Sequence, residues 1–286
     1  SIGNSGYAFL GTGRATSGTA GDIDVIVGTG DSGDGGNIYL TAGESTQTAE
    51  AGGFVQVIGG HGSYGDGSDN GGDGGAVYVY GGEAAGGASY DLGGNIELFG
   101  GLAAAGSGGS MIMNSGFGAA SSSGFLYFET MNAGVEGVSG YIAFSTGTTS
   151  SGDTGYFSAK TGSATNGKAG YIELEVGNAD LGVGGDVLVT AGTTGDDNGH
   201  TGGKVEVLSG YSKRTTSGTV VLSTSNSGTA GVSGSIAFSS GTAALGNSGQ
   251  IKLDTGYAFS LGRGGDIRQA VGTGESGEGG DVIITA

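Results

Sequence analysis

The chain has no cysteine, no proline and no tryptophan. Without cysteine there are no disulfides, no thiolate zinc sites and no cysteine nucleophile. Without proline a collagen triple helix is excluded, since that needs both strict Gly-X-Y repetition and abundant imino acid. Basic residues are scarce: 9 Lys and Arg against 27 Asp and Glu give a net charge of −18. Such a surface repels nucleic acid, whose binding depends on Lys and Arg neutralising phosphates, and it favours solubility. No apolar run approaches the eighteen residues of a membrane span. Histidine occurs twice, as His61 and His200, both in polar glycine-rich stretches without a nucleophile or zinc pattern, so no catalytic residue and no enzymatic activity is expected. The sequence has no Asn-x-Ser/Thr sequon and no secretory leader, and it begins with Ser, which suggests a processed chain or an excerpt.

What is present is glycine, 72 residues of 286. A quarter glycine with high net charge is also a signature of disorder, but the apolar residues are in register. Gly36-Asn37-Ile38-Tyr39-Leu40-Thr41-Ala42-Gly43 typifies a Gly-x-apolar-x-apolar unit whose leading glycine recurs eighteen times: 6, 21, 36, 53, 75, 94, 109, 124, 140, 155, 170, 185, 203, 218, 234, 249, 265 and 280. Ten of the seventeen spacings are 15 residues and the rest run from 16 to 22. Positions below are counted from this key glycine, so that Ile38 is +2 and Leu40 is +4.

Of the thirty-six +2 and +4 positions thirty-five are apolar, Gln269 being the exception. The +3 position is mixed (Asp24, Tyr39, Gln56, Glu97, Glu206, Lys252, Arg268). Period-two alternation predicts one half-buried strand per repeat. The segments that follow are too short and glycine-rich for helix, because glycine costs about 1 kcal/mol per helical position. Repeats of this length fit one coil of a solenoid. The sequence therefore predicts an all-β parallel β-solenoid, a β-helix of about eighteen coils, forming a single array over residues 1–286 and, at the usual strand spacing, a rod of about 85 Å. A second wall of Ala, Ser, Thr and Gly, a sharp corner at each key glycine that uses positive φ or leaves no space for a β-carbon, and a Tyr141, Tyr156, Tyr171 ladder belong to this expectation. Meander and sandwich folds are the alternatives, though a meander would flip alternate strands.

Longer repeats fall in coils 36–93 and 185–202, and insertions in a solenoid emerge as loops. The most individual is residues 61–73, His-Gly-Ser-Tyr-Gly-Asp-Gly-Ser-Asp-Asn-Gly-Gly-Asp. Acidic loops with backbone carbonyls offer the oxygen-rich setting of calcium. Asp66, Asp69 and Asp73 are the best-placed candidate ligands, ahead of Asp31, Asp34, Asp196 and Asp197, although the nine-residue cycle of calcium-binding β-rolls is not kept. Solvated acidic corners are the plainer account. Three-glycine dinucleotide fingerprints carry no weight, since at this glycine content one arises by chance about four times. An ice-binding face would need regular outward Thr, whereas Thr recurs only loosely after the strand, at Thr41, Thr146, Thr190, Thr224 and Thr255.

Units such as Gly185-Asp186-Val187-Leu188-Val189-Thr190-Ala191-Gly192 and Gly203-Lys204-Val205-Glu206-Val207-Leu208-Ser209-Gly210 resemble the Gly/Ser-rich tandem-repeat secreted structural proteins of diatoms and other algae. The resemblance covers the whole chain in low-complexity repeats. It implies an extracellular structural role, as a surface filament, appendage or wall component. Neither end shows a solenoid cap, and the last residues stop inside a strand pattern, so the expected function is a subunit or segment that stacks end to end into a filament by strand addition, with itself as partner. The alternative is an adhesin-type rod whose loops at residues 59–74 and 82–93 bind calcium or carbohydrate. Tyr39, Tyr78 and Tyr127 suit lateral bundling or sugar stacking, and equally reflect strand propensity.

Overall fold

In the computed structural model residues 4–63, 72–195 and 199–285 are described. The chain divides into two units, Ser1–Phe144 and Ser145–Ala286, which carry the same repeat.

Among the described residues there is neither α-helix nor β-strand, which overturns the expected β-solenoid and, with it, the rod length that rested on stacked strands. No residue is buried among them, so the expected half-buried strands are extended segments with open sides. The physical reason is that a period-two pattern fixes the direction of side chains, whereas a sheet requires ladders of bonds between segments. The backbone bonds found here close corners within one repeat or between it and the next. The Tyr141, Tyr156, Tyr171 ladder fails for the same reason: the three rings are 78–89% exposed and no ring contact joins them.

The glycine register is real, and it has a partner that the alternation did not disclose. Each of the seventeen key glycines after Gly6 lies against position +6 or +7 of the repeat before it. A β-carbon on Gly185 would sit 2.8 Å from Cγ1 of Val176, and one on Gly109 would sit 2.9 Å from the backbone nitrogen of Gly101. Real β-carbons essentially never approach other atoms so closely, so at Gly36, Gly94, Gly109 and Gly185 a glycine is required by space, whereas at Gly21, Gly155 and Gly265 a β-carbon would make ordinary contact at 3.6–3.8 Å. Where +6 is itself glycine, at Gly59, Gly81 and Gly100, the approach is mutual: a β-carbon on any of them would collide with the carbonyl of the next key glycine.

These contacts are fastened by hydrogen bonds. In seven repeats the key glycine N–H donates to the carbonyl at +7 of the preceding repeat: Gly53 to Gly43 (2.9 Å), Gly75 to Gly60 (2.8 Å), Gly94 to Gly82 (2.8 Å), Gly109 to Gly101 (2.8 Å), Gly124 to Gly116 (3.0 Å), Gly203 to Gly192 (2.9 Å) and Gly218 to Gly210 (2.9 Å). In three others a threonine at +6 donates its hydroxyl to the carbonyl of the next key glycine: Thr130 to Gly140 (3.2 Å), Thr161 to Gly170 (3.5 Å) and Thr224 to Gly234 (3.2 Å). We call each closure a latch and the residues it spans an arch. Latched arches run from 8 residues (Gly101 to Gly109) to 15 (Gly60 to Gly75) with no trend in bond length. The extra residues of the long repeats therefore lie in the arches and leave the latch unchanged.

Each regular arch turns at a three-residue bend, for example residues 31–33, 104–106, 150–152 and 275–277. In seven of them the last bend residue is a glycine with positive φ three positions before the key glycine, as at Gly33 (φ 103°) and Gly152 (φ 109°). L-residues rarely adopt that conformation. The expected second wall of small residues is thus a row of bends.

Candidate interaction surface

Between latch and latch the chain runs extended for about seven residues, and side-chain contacts two residues apart show the alternation directly. Lys204 Nζ meets Glu206 Oε2 at 2.7 Å, and Lys252 pairs with Asp254. Tyr78 and Tyr80 stack with centroids 6.0 Å apart and planes 16° from parallel, and Asn37 Nδ2 donates to Tyr39 Oη at 3.1 Å. These residues occupy +1, +3 and +5, the face the sequence reads as outward. Exposed pairs of this kind are worth roughly 0–1 kcal/mol, and they also neutralise two of the lysines within their own segments.

The opposite face carries the apolar positions. At +2 the side chains are about half covered (Ile23 48% exposed, Val220 49%) and at +4 less so (Leu40 77%, Leu174 80%). The best-covered large apolar side chains are at +6: Val176 (41%), Val27 (43%) and Val271 (43%), because they face a key glycine. An apolar face in strict register is therefore left only partly covered by the chain's own segments.

Two open clefts gather this face together with some of the +1, +3 and +5 side chains. In the first unit a cleft of about 970 Å³ is lined by Leu40, Val55, Glu97, Leu98, Phe99, Met111 and Met113 among others. In the second unit a cleft of about 1070 Å³ is lined by Leu222, Ile236, Phe238, Arg268, Gln269, Val271, Val282 and Ile284 among others. Gln269, the one polar residue of the apolar register, lies in the second.

Among the described residues the candidates suggested by other chemistry are not brought together. Asp66 and Asp69 lie outside the described residues, as do Asp196 and Asp197; Asp73, Asp31 and Asp34 are exposed. No group of three His, Cys, Asp or Glu side chains that could hold a metal ion occurs among the described residues. In the arch at 82–93 the Asp91 carboxylate accepts the Ala88 N–H at 3.0 Å and so shapes its own bend. Glycine–glycine contacts form the neck of the 61–73 insertion, where a β-carbon on Gly62 would collide with the backbone of Gly72 and Asp73. Thr146, Thr224 and Thr255 stand at +6, turned to Gly155, Gly234 and Gly265. Tyr39, Tyr78 and Tyr127 are well exposed.

Position +6 is what alternation alone missed. The signal was in the sequence: all eighteen residues at +6 are Gly, Ala, Ser, Thr or Val, the sizes that fit against a corner.

No helix among the described residues is long and apolar enough to cross a membrane. No protein family, no curated protein and no solved structure matches this chain.

Proposed function

We propose that the chain is a non-enzymatic structural protein that associates with copies of itself into a filament at an extracellular surface, as an appendage or wall fibre. The observation that carries this reading is the conjunction of thirty-five apolar residues at thirty-six register positions with no buried residue among those described. Full burial of an aliphatic side chain is worth about 1.5–3 kcal/mol. A side chain left half exposed retains roughly half of that for a partner, and the sum over many repeats is large. The partner that supplies the same spacing of apolar residues is another copy, because each copy carries the same repeat. Extended backbone without ladder partners adds main-chain donors and acceptors along the edges of the same segments. The net charge of −18 opposes indiscriminate collapse and leaves registered contacts as the favoured ones.

The test is electron microscopy at micromolar concentration, with and without EDTA, beside sedimentation. Fibres that survive EDTA support self-association as the function. Chains that stay discrete under all conditions overturn it and shift the weight to an adhesin-type role for the arches. Fibres lost on chelation make calcium, held by acids such as Asp66, Asp69 and Asp73, the joint between copies.

A further inference from the structure

The two units differ in charge. The first holds fourteen acids and one base, and the second thirteen acids and eight bases. Three bases of the second unit stand at +1 or +3 of extended segments. Lys204 and Lys252 are neutralised by Glu206 and Asp254 in their own segments. Arg268 has no ion pair among the described residues, and it lines the cleft of the second unit beside Ile236, Phe238, Val282 and Asp281, the last without an ion pair to it. In the first unit Glu97, also at +3 and also without an ion pair among the described residues, lines the other cleft beside Leu98 and Phe99.

We infer that the Arg268 cleft is the receptor for residues 94–99 of a second copy, with Glu97 of that copy against Arg268. This rests on the proposed self-association and names the surfaces that perform it. Both charges stand at the same register position, so when a 94–99 segment lies in register beside residues 265–270 the Glu97 carboxylate meets the guanidinium on one face while Ile96 and Leu98 meet Ile267 and the apolar lining on the other. The guanidinium suits this role because it binds a carboxylate through two parallel N–H donors. Donor surface and receptor surface lie in different units of the chain, so the contact is heterologous, and a heterologous contact that does not close on itself propagates into an open polymer. Growth then has a direction, first unit to second unit.

The test uses full-length chains and the concentration at which sedimentable polymer appears. Glu97→Arg and Arg268→Glu each place like charges across the contact and raise that concentration roughly tenfold. The two single variants mixed in equal amounts polymerise at the wild-type concentration, because every contact in an alternating polymer is again Glu–Arg. The double variant, with the charges exchanged, does the same. Asp24→Arg, an acid at the same register position outside both clefts, serves as the control for net charge and has less than a threefold effect. Single variants that polymerise like wild type, or a mixture that fails to recover, overturn the inference while the filament reading stands. Wild-type chain that never polymerises overturns both.

Discussion

Replacing the key glycine of a backbone latch with alanine tests the central structural relation, and Gly109→Ala is the cleanest case. The new β-carbon would lie 2.9 Å from the nitrogen of Gly101, about half an ångström inside ordinary contact, and the atom it meets is backbone, which cannot rotate away. The corner must open, which draws the Gly109 N–H from the Gly101 carbonyl now 2.8 Å distant. A lost hydrogen bond costs about 0.5–1.5 kcal/mol net, and forced overpacking adds typically 1–3 kcal/mol. Alanine returns about 0.4–1 kcal/mol by restricting the unfolded chain. The latch is therefore weakened by roughly 1–3 kcal/mol, a five- to hundredfold rise in the open population. The assay is amide hydrogen exchange, by NMR, of residue 109 and its neighbours at a concentration below polymerisation. The control is Gly6→Ala, whose β-carbon would meet nothing within 4 Å, so only the unfolded-state term acts and protection does not fall. Equal exchange in the two variants would refute the claim that the corner excludes a β-carbon.

Three further outcomes follow from the same geometry. Gly185→Ala alone opens its corner because Cγ1 of Val176 lies 2.8 Å from the new carbon, and Val176→Ala restores it. The effects on amide exchange are then non-additive by about 1 kcal/mol, as expected for residues in contact. Thr224→Val keeps the shape at +6 and removes the hydroxyl that holds the Gly234 carbonyl at 3.2 Å; amide exchange in the arch from 225 to 234 rises by about 0.5–1.5 kcal/mol in equivalent terms, whereas Thr149→Val elsewhere in the chain leaves that arch unaffected. Because the chain carries −18, raising ionic strength from about 10 mM to 150 mM, which shortens the screening length from about 30 Å to 8 Å, lowers the concentration at which polymer appears; light scattering that falls with salt would contradict apolar contacts as the driving term.

How much of this was legible in the sequence differs by level. The key glycines read as sharp corners that use positive φ or leave no space for a β-carbon; the second is borne out by the crowding at Gly36, Gly94, Gly109 and Gly185 but not at Gly21, Gly155 or Gly265, and the positive φ falls instead on bend glycines such as Gly33 and Gly152. The alternation survives as geometry, shown by the Lys204–Glu206 and Tyr78–Tyr80 contacts. What did not follow was pairing. Ile38 and Leu40 report which way side chains point, and nothing in that pattern says which backbone their N–H and C=O groups will meet, so a sheet was inferred where extended segments stand apart. Arg268 and Gln269 read as an outward base and an exception to the register, and only the cleft shows them beside Ile236 and Phe238 of another repeat. The composition of +6 was open to inspection, but its meaning depends on knowing that the chain returns to itself there.

Because each latch joins residues only 8 to 15 apart, every arch is a store of slack in series with the extended segments. Under tension the weakest latch parts first, and an arch of the Gly101–Gly109 size then lengthens the chain by roughly 20–25 Å, while the Gly60–Gly75 arch releases about twice as much. Neighbouring arches do not share a latch, so each gives way separately and recloses separately when the load is removed. A fibre built from such chains resists pulling as a succession of small yields, absorbing work at each one, and recovers its length without any segment having lost its place in the register.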